Sequence, residues 1–407
     1  MNFEQLGLRA EVLRGVEDAG YTEPTPIQAQ AIPAVLAGRD VIGASQTGTG
    51  KTAAFSLPML QRLSEQPRNQ LRCLILEPTR ELAAQVQDYI ANIGSHTGLR
   101  SALIHGGVGY GTQIEALQQG FEIIIATPGR LLDHMQRGAA KLDKLDVLIL
   151  DEVDRMLDMG FLPDVRRILK HCPRERQTLF FSATMPPEIK SLADWVLKKD
   201  PLEIEIGQRL SAADTVTHAF YPVAGDQREE LLFELLRRTD FQSVMIFTRT
   251  KVQADRLFAR VVKETDHAVT VMHSDIRQSD RAAALQGFRE GKFAVIIATD
   301  LAARGLDISG VSHVINYQVP ENAEDYVHRI GRTGRARREG DAFTLLAADE
   351  LPYAESIEKL IGQKILRHKL DEFPYRYTTL LDDETTVPFS AAFGRRKGRS
   401  RSTRRRR

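Results

Sequence analysis

A glycine-rich segment near the start of the chain contains residue types that bind phosphate. Residues 45–52 read Ser-Gln-Thr-Gly-Thr-Gly-Lys-Thr and follow the apolar run Val41–Ala44. Gly48 and Gly50 let the backbone approach phosphate oxygens, so that successive N–H groups form an anion nest at a helix start. The first position of this loop pattern is usually glycine, and here it is Ser45. The alternative is a strand-to-helix turn that binds no ligand.

Four further side chains can complete a site for a nucleoside triphosphate. Lys51 would reach the β- and γ-phosphates, and the Thr52 hydroxyl would ligate Mg²⁺. Asp151 and Glu152 directly follow the apolar run Val147–Leu150, where an acid is costly unless it is paired or metal-bound. We expect Asp151 to hold Mg²⁺ through its water shell, and Glu152 to be the general base for an attacking water. The alternative is an acidic strand end that caps the next helix.

Paired arginines in the second half of the chain suggest a further contribution to this site. Residues 328–335 read His-Arg-Ile-Gly-Arg-Thr-Gly-Arg. Arg332 and Arg335 could point at one anion, although the second half has no phosphate loop of its own. They would then act as arginine fingers on the nucleotide of the first half. A solvated basic face or an RNA-phosphate patch is the alternative.

Short apolar runs separated by amphipathic stretches must position these residues. The runs are continuous rather than alternating, which is typical of parallel strands covered by helices on both faces. Alternating strands and helices predict an α/β fold with doubly wound parallel sheets, and the polar motifs fall where such sheets bind ligands, at the carboxyl ends of strands. The predicted strands are Val41–Ala44, Cys73–Leu76, Ala102–Ile104, Ile123–Ala126, Val147–Leu150, Leu179–Phe181, Val244–Phe247, Val269–Met272, Val295–Ala298 and Val314–Tyr317.

The strand-helix pattern occurs twice, which predicts two domains. The break falls in the polar segment 207–216, which we interpret as an interdomain linker. We place an N-terminal domain at residues 1–207, a C-terminal domain at residues 208–370, and a linker with an Arg-rich tail at residues 371–407. The tail cannot bury apolar surface, so we expect it to be disordered when free.

The charge of the chain is unevenly distributed. The 407 residues include 55 Lys or Arg and 54 Asp or Glu, a net charge of +1, and 42% are hydrophobic, which excludes wholesale disorder. Nine of the basic residues lie in residues 394–407, which contain no acid, so subtracting them leaves −8 for the rest. A basic tail on an acidic body points to an anionic partner. RNA is one such partner, and the alternatives are an acidic protein or a tail that only improves solubility.

Cysteine usage and hydropathy indicate a cytoplasmic protein. The only two cysteines, Cys73 and Cys172, have neither disulfide nor zinc spacing, which favours a reducing compartment. The N-terminus lacks the features of a secretory signal, and no apolar run approaches the ~18–20 residues of a membrane helix. We therefore expect no membrane association.

The ordered set of motifs resembles the DEAD-box ATP-dependent RNA helicases of superfamily 2, and the short Arg-rich extension is similar to that of bacterial RhlE-like members. The likeness covers roughly residues 1–370. It includes the glutamine motif at 20–28 with Phe3 upstream, the phosphate loop, and the motifs Pro-Thr-Arg-Glu-Leu-Ala (78–83), Gly-Gly (106–107), Thr-Pro-Gly-Arg (127–130), Asp-Glu-Val-Asp (151–154), Ser-Ala-Thr (182–184), Thr-Arg-Thr (248–250), Gln-Ser-Asp-Arg (278–281), Ala-Thr-Asp-Leu-Ala-Ala-Arg-Gly-Leu-Asp (298–307) and 328–335.

The resemblance implies two tandem RecA-like domains that hydrolyse ATP with Mg²⁺ on binding RNA, and that locally unwind short duplexes or remodel RNA-protein complexes. It implies that Asp154, Ser182 and Thr184 couple hydrolysis to domain geometry. The implied ATP-binding residues are Tyr21, Gln28, Ser45, Gln46, Thr47, Gly48, Thr49, Gly50, Lys51, Thr52, Gly305 and Asp307, with Thr52 and Asp151 as metal ligands, and Lys51, Asp151, Glu152, Arg332 and Arg335 as catalytic residues.

A groove for the RNA backbone is implied at a second set of positions. Small hydroxyl and glycine residues grip phosphate and 2′-OH groups without reading sequence. For each threonine the alternative is an ordinary helix cap, and for Arg80 it is a salt bridge to Glu81. The implied RNA-binding residues are Pro78, Thr79, Arg80, Gly107, Thr127, Arg130, Thr248, Arg249, Arg281 and Thr299. Ribosomal or RNA-degradation proteins are the expected protein partners.

Two details and two rival functions qualify this interpretation. Val153 replaces the alanine of the family's box, and we expect a modest packing adjustment there. Trp195, on the predicted helix 187–197, is expected to lie in the core. The rival functions are a DNA translocase and a nonenzymatic RNA-binding clamp.

Overall fold

The structure, a computed structural model, describes residues 2–45, 49–206, 216–303, 308, 310–334, 340–376 and 386–388. Contacts divide the chain into two units, Met1–Gln208 and Arg209–Arg407, called the first and second unit below. The predicted linker, except Val216, and the basic tail at 394–407 lie outside the described residues.

The first unit is built on a seven-stranded parallel sheet. Its strand order is β3-β4-β2-β5-β6-β1-β7, so the chain leaves the sheet centre in both directions, as in a doubly wound fold. Apolar side chains on the two faces of the sheet form two separate cores beneath the helices. The strands are β1 Val41–Ser45, β2 Cys73–Leu76, β3 Ser101–Ile104, β4 Ile123–Ala126, β5 Val147–Leu150, β6 Gln177–Ser182 and β7 Leu202–Ile206.

Helices cover both faces of this sheet. Gly43 in β1 leaves room for the Phe181 ring of β6, because a Cβ at this position would lie 2.4 Å from that ring. A 3₁₀ turn at Phe3–Leu6 precedes the first helix. The helices are α1 Ala10–Asp18, α2 Pro26–Leu36, α3 Lys51–Ser64, α4 Arg80–Ile93, α5 Gly111–Gln118, α6 Pro128–Gln136, α7 Val153–Asp158, α8 Leu162–Leu169 and α9 Pro187–Val196.

The second unit repeats the arrangement with an eight-stranded parallel sheet in the order β10-β11-β9-β12-β13-β8-β14-β15. Its strands are β8 Val216–Pro222, β9 Val244–Thr248, β10 Val269–Met272, β11 Val295–Thr299, β12 His313–Asn316, β13 Gly340–Leu346, β14 Arg367–Lys369 and β15 Thr386–Pro388. Its helices are α10 Arg228–Arg238, α11 Lys251–Glu264, α12 Gln278–Arg289, α13 Asp300–Ala303, α14 Ala323–Ile330 and α15 Leu351–Ile361, with 3₁₀ turns at Gly225–Gln227 and Ala348–Glu350.

The predicted α/β class with two doubly wound parallel sheets is confirmed, and every predicted strand is present within one or two residues. Residues 371–376, which we assigned to the region after the second domain, pack onto it. Phe373 is buried, and the Arg376 guanidinium bonds Asp226 at 2.8 Å. No helix within the described ranges combines the length and apolarity needed to cross a bilayer.

One core prediction is wrong. Trp195 lies near the end of α9, but its side chain is 48% exposed, whereas its neighbours Ala193 and Val196 are buried. The apolar stripe of α9 therefore passes beside the tryptophan rather than through it.

Candidate active site

The phosphate loop ends at Gly50, which caps the N-terminus of α3 with φ +94°. A Cβ at Gly50 would lie 2.4 Å from Nε2 of Gln28, so glycine is required both for the backbone conformation and for this contact. Lys51 follows as the first residue of α3 and is buried, and Thr52 is half-buried. Gln46, Thr47 and Gly48 lie outside the described residues, and Ser45 ends β1.

Gln28 connects the glutamine motif to the phosphate loop. Its Oε1 accepts from the Thr25 N–H at 2.9 Å, and its Nε2 donates to the Gly50 carbonyl at 3.1 Å. The side chain is buried, yet each amide atom keeps one further bonding position. Tyr21 lies nearby with 40% of its side chain exposed, and its ring stacks on Phe3 at 6.3 Å between centroids.

The acidic box begins where β5 ends. Asp151 is buried, and burial raises the pKa of its carboxyl to about 6, with Lys51 opposing the shift and Glu152 adding to it. Glu152 has φ +48° and is the N-cap residue of α7, so its backbone bends sharply between strand and helix. The Glu152 carboxylate accepts a hydrogen bond from the Arg155 guanidinium, and both side chains are buried.

A third acid, which the sequence analysis did not select, lies beside Asp151. Leu76 of β2 is in register with Leu150 of β5, so the next residues, Glu77 and Asp151, are neighbours across strands that are ~4.8 Å apart. Side chains in a strand alternate between the two faces of the sheet, so Glu77 lies on the face of Ile75 and Asp151 on the face of Ile149. Both carboxyl groups therefore face the core beneath α3. Glu77 is 0% exposed, and neither carboxyl oxygen has a hydrogen-bond partner among the residues that the structure describes.

The physical state of Glu77 follows from this position. Burial, with Asp151 and Glu152 close by, raises the pKa of its carboxyl well above the ordinary value. The signal that could have identified Glu77 is the one used for Asp151, an acid directly after a buried apolar strand.

The fourth residue of the box is bonded to the serine-alanine-threonine motif. The Asp154 N–H donates to Ser182 Oγ at 3.2 Å, and the Ala183 N–H donates to Asp154 Oδ2 at 3.0 Å. Ser182 Oγ in turn donates to the Thr184 carbonyl at 2.7 Å. The three predicted coupling residues are therefore in one hydrogen-bonded group, in which Thr184 takes part through its backbone.

The predicted RNA residues of the first unit follow β2, β3 and β4 at the carboxyl edge of the sheet. The Arg80 guanidinium lies over Gly106 and Gly107. A Cβ on Gly107 (φ +84°) would be 2.2 Å from this guanidinium. Arg130 donates to the Val108 carbonyl at 2.9 Å and stacks on Tyr110.

Two of these positions have a structural role as well. Thr79 caps α4 by accepting from the Leu82 N–H at 3.3 Å, which is the alternative considered from sequence. Thr127 occupies the cap position of α6 without a side-chain cap bond, and the adjoining Pro128 begins that helix. Pro78 is buried at the end of β2.

The predicted RNA residues of the second unit also follow strands. Thr248 ends β9 and donates to the Thr250 carbonyl at 3.2 Å. Arg249 donates to the Val319 carbonyl at 3.2 Å and lies 3.5 Å from Glu350, so its charge is partly compensated. Thr299 ends β11, and Arg281 lies in α12.

The arginine-rich motif of the second unit is anchored by Arg329. Its guanidinium makes a bidentate pair with Asp300, with both N···O distances 2.6 Å, and donates to Asn316 at 3.0 Å. Arg332 is buried two residues past the end of α14. Gly305, Asp307 and Arg335 lie outside the described residues.

The donor set of the first unit fits a hydrated Mg²⁺ ion. No group of three or more His, Cys, Asp or Glu in the described part of the chain is arranged to hold a metal alone. Mg²⁺ prefers to keep waters and to take the rest of its ligands from phosphates and one or two carboxylates. Asp151 supplies such a carboxylate, and Glu77 adds a buried acid whose oxygens are unpartnered.

Two doubly wound parallel sheets in one chain, with Lys51 of the first close to Asp151 at a strand end, are typical of a nucleotide-hydrolysing protein. A family model described as DEAD/DEAH box helicase matches residues 25–192, and one described as helicase conserved C-terminal domain matches residues 227–337.

Known proteins agree with this class. The DEAD-box ATP-dependent RNA helicase RhpA of Helicobacter pylori is 44% identical over 89% of this chain and 73% of its own length. The ATP-dependent RNA helicase RhlB of Pseudomonas aeruginosa is 42% identical over 89% of this chain and 93% of its own. The solved structure of S. cerevisiae Dbp5 bound to RNA and ADP BeF3 is 31% identical, covers 95% of both chains and has a TM-score of 0.81.

The chain belongs to the DEAD-box ATP-dependent RNA helicases. It is an RNA-stimulated ATPase that remodels RNA and uses ATP with Mg²⁺. The two units are its tandem RecA-like domains.

Proposed function

We propose that the residues gathered at the carboxyl edge of the first sheet form the ATP site. Lys51, on the first turn of α3, would pair with the β- and γ-phosphates, and the Gly50 segment would supply backbone N–H groups. Gln28 would use its free amide positions on the adenine edge, and Tyr21 would stack on the ring. Gln46, Thr47, Gly48 and Thr49 would complete the loop, following Ser45.

Different residues would bind the metal and activate the attacking water in this proposal. When bound, Mg²⁺ neutralises phosphate charge; Thr52 and Asp151 would hold it, Asp151 partly through water. Glu152 would accept the proton of the attacking water. Its strained backbone and its ion pair with Arg155 fix the carboxylate at the end of β5, so the base is oriented before ATP binds.

The second unit would act on the same ATP. Arg332 and Arg335 would stabilise charge on the γ-phosphate, and Gly305 and Asp307 would contact the ribose and γ-phosphate region. Because each ligand gains contacts only when both units engage it, ATP and RNA should bind cooperatively.

The coupling between hydrolysis and RNA would run through Asp154. Its bonds to Ser182 and Ala183 join the acidic box to the end of β6, the strand between β5 and the phosphate-loop strand. This single observation carries the proposal, because the hydrogen-bonded group begins two residues after Glu152 and would carry a change at the acidic box to the end of β6. Thr184 would transmit the same change through its carbonyl.

The RNA would be gripped by its backbone and not read by sequence. The candidates are hydroxyl, glycine and arginine positions, which contact phosphate and 2′-OH groups. A single strand or a short duplex is therefore the proposed substrate. Ribosomal or RNA-degradation proteins in the cytoplasm are the proposed partners and setting. The residues are Pro78, Thr79, Arg80, Gly107, Thr127, Arg130, Thr248, Arg249, Arg281 and Thr299.

ATP hydrolysis by the full chain, measured with RNA, with DNA of the same sequence, and without polymer, tests this function. RNA alone should stimulate turnover, and Lys51→Ala should abolish it, while the exposed control Lys190→Ala on α9 should not. Equal stimulation by DNA would favour the translocase. RNA binding without hydrolysis would favour the nonenzymatic clamp.

A further inference from the structure

Trp195 stands at the rim of a groove on the first unit that none of the roles above uses. The groove has a volume of about 460 Å³ and is lined by Trp195 together with Lys170, Arg174, Arg176 and Lys198. Among the described residues, no acidic side chain lines it. The groove therefore places an exposed aromatic ring beside four cations, although the net charge of residues 1–393 is negative.

The position of this groove separates it from the catalytic edge. It lies where α8 and α9 end and where β6 begins, which is the amino edge of the sheet. The ATP and RNA candidates of the first unit lie at the carboxyl edge of the same sheet. One strand of RNA at the catalytic edge would thus leave the groove free for another segment.

Three of the cations are available for a ligand. Lys170, Arg174 and Lys198 are exposed, and no ion pair to any of them exists within the described residues. Arg176 has a structural role, since its guanidinium donates to the Pro173 carbonyl and to the Val196 carbonyl at 3.4 Å. These bonds tie the loop before β6 to the end of α9, next to Trp195.

The basic character continues beyond the groove. A neighbouring groove of about 670 Å³ shares Lys170 and adds Lys141, Arg167 and His171 against a single acid, Asp143. An extended anion that leaves the Trp195 groove past Lys170 would therefore meet further positive charge. This favours a polymer over a small anion.

The free groups of the groove fit nucleic acid better than a peptide. Main-chain groups at the rim are already bonded, as the Lys198 N–H donates to Asp40 at 2.8 Å and the Val196 carbonyl accepts from Arg176 and Thr178. A peptide strand would find few backbone partners there. A stacking ring and free cations are the groups that hold single-stranded nucleic acid.

We propose that the Trp195 groove is a second, sequence-independent site for single-stranded RNA, in which a base stacks on Trp195 while Lys170, Arg174 and Lys198 contact phosphates. This site would hold a flanking segment of the same RNA while the catalytic edge acts, and it would do so without nucleotide. The inference rests on the RNA helicase activity only for the identity of the polymer.

The chain itself supplies a local probe, because Trp195 is its only tryptophan. A single-stranded RNA oligonucleotide of mixed sequence, added to the full chain without ATP, should quench the tryptophan fluorescence to saturation. The basic tail cannot produce this signal by itself, since the fluorescence reports on the ring alone. Binding detected by anisotropy of a labelled oligonucleotide with no change in Trp195 emission would overturn the proposal.

Variants make the test quantitative. Trp195→Ala should weaken nucleotide-free RNA binding by about 5- to 100-fold, from the usual strength of one stacked base, and Trp195→Phe should restore part of it. Lys170→Ala with Lys198→Ala should reduce the log–log salt slope by about 1.4, since each phosphate contact contributes ~0.7. The matched controls Val252→Ala, and Lys263→Ala with Lys359→Ala, alter exposed side chains of the second unit and should leave both values unchanged.

The other occupants are distinguishable outcomes. Quenching by an acidic polypeptide but not by RNA, at equal ionic strength, would replace RNA by a protein partner and refute the proposal. Variants that bind RNA like the parent chain would refute it as well. ATP turnover at saturating RNA should stay unchanged in all these variants, so a loss of turnover would count against the separation of this groove from the catalytic edge. Failure of the helicase function itself would show instead as absent turnover in the parent chain.

Discussion

Glu152 and Arg155 form a buried ion pair one helical turn apart, at the start of α7. The pair lies among other acids, because Arg155 also opposes the raised pKa values of Glu77 and Asp154. Lys51 opposes the same shifts, so two buried cations, Arg155 and Lys51, lie among these carboxyl groups. We therefore expect the loss of Glu152, the proposed general base, and the loss of Arg155 to have different effects.

Replacing the proposed base should slow hydrolysis and spare binding. Glu152→Gln keeps the shape and can still accept from Arg155, but it cannot take a proton, so ATP hydrolysis should fall by ~100-fold or more. ATP and RNA affinities, measured by equilibrium titration, should stay close to those of the parent. The exposed control Glu188→Gln should hydrolyse normally. Loss of ATP binding in Glu152→Gln with Mg²⁺ present would make Glu152 a structural or metal-holding residue.

Replacing the cation should cost stability instead. Arg155→Ala leaves the buried Glu152 carboxylate without its ion-pair partner, so we expect the free energy of unfolding to fall by about 3–5 kcal/mol. Denaturant unfolding measures this, with Arg167→Ala, an exposed arginine of α8, as the matched control. A loss below ~1 kcal/mol, the usual value for an exposed pair, would mean that the acids are compensated by other groups.

The buried carboxyl of Glu77 should make the metal-free protein less stable as the pH rises. Its pKa is higher in the folded chain than in the unfolded one, so the folded state binds the proton more tightly. Stability is then lost as the pH rises from the ordinary value near 4.5 through the raised folded value. Glu77→Gln and Glu77→Leu cannot ionise, so both should unfold at higher temperature than the parent at alkaline pH in a chelator, with the advantage shrinking toward acidic pH.

The control for Glu77 is Glu188→Gln, which removes an exposed acid of the same unit and should leave the pH profile unchanged. Equal pH profiles for the parent and for Glu77→Gln would show that Glu77 is compensated in solution.

Val153 should contribute more to stability than the alanine of the family's box. It is fully buried at the start of α7, in the cluster that contains Leu150 and Phe180. Val153→Ala removes two buried methyl groups, so we expect a loss of about 1.5 kcal/mol with an unchanged hydrolysis rate. The exposed Val262→Ala is the control. A gain in stability would mean that Val153 is strained in this core.

The Asp300–Arg329 pair should stabilise the second unit through geometry and not through charge alone. Arg329→Lys keeps the charge but loses the planar fork, the bond to Asn316 and the stacking on Phe247. We expect a loss of about 2–5 kcal/mol, the range for breaking a buried hydrogen-bonded pair. Denaturant unfolding of Arg329→Lys, with Lys359→Ala as control, checks this. A loss within experimental error would show that the charge alone suffices.

The order of residues along the chain is enough to predict the sheets and the placement of their motifs. Continuous apolar runs such as Cys73–Leu76 and Val147–Leu150 predict buried parallel strands, and parallel strands bring the residues that follow them to one edge. Asp151, Lys51 and Thr79 can therefore be assigned to one edge of the first sheet from the amino-acid sequence. Strands of mixed polarity escape this pattern, and Arg367–Lys369 carries no apolar run at all.

Tertiary packing, by contrast, decides which neighbour each polar or aromatic side chain meets. Gln28 bonds Gly50, and Glu77 meets no hydrogen-bond partner, because these outcomes depend on segments distant in the chain that pack at the same place. Trp195 is exposed for the same reason: periodicity gives the face of a helix on which a residue lies, but not where the covering element ends. Local sequence specifies strands and turns through short-range sterics and burial, whereas partners are set by long-range packing.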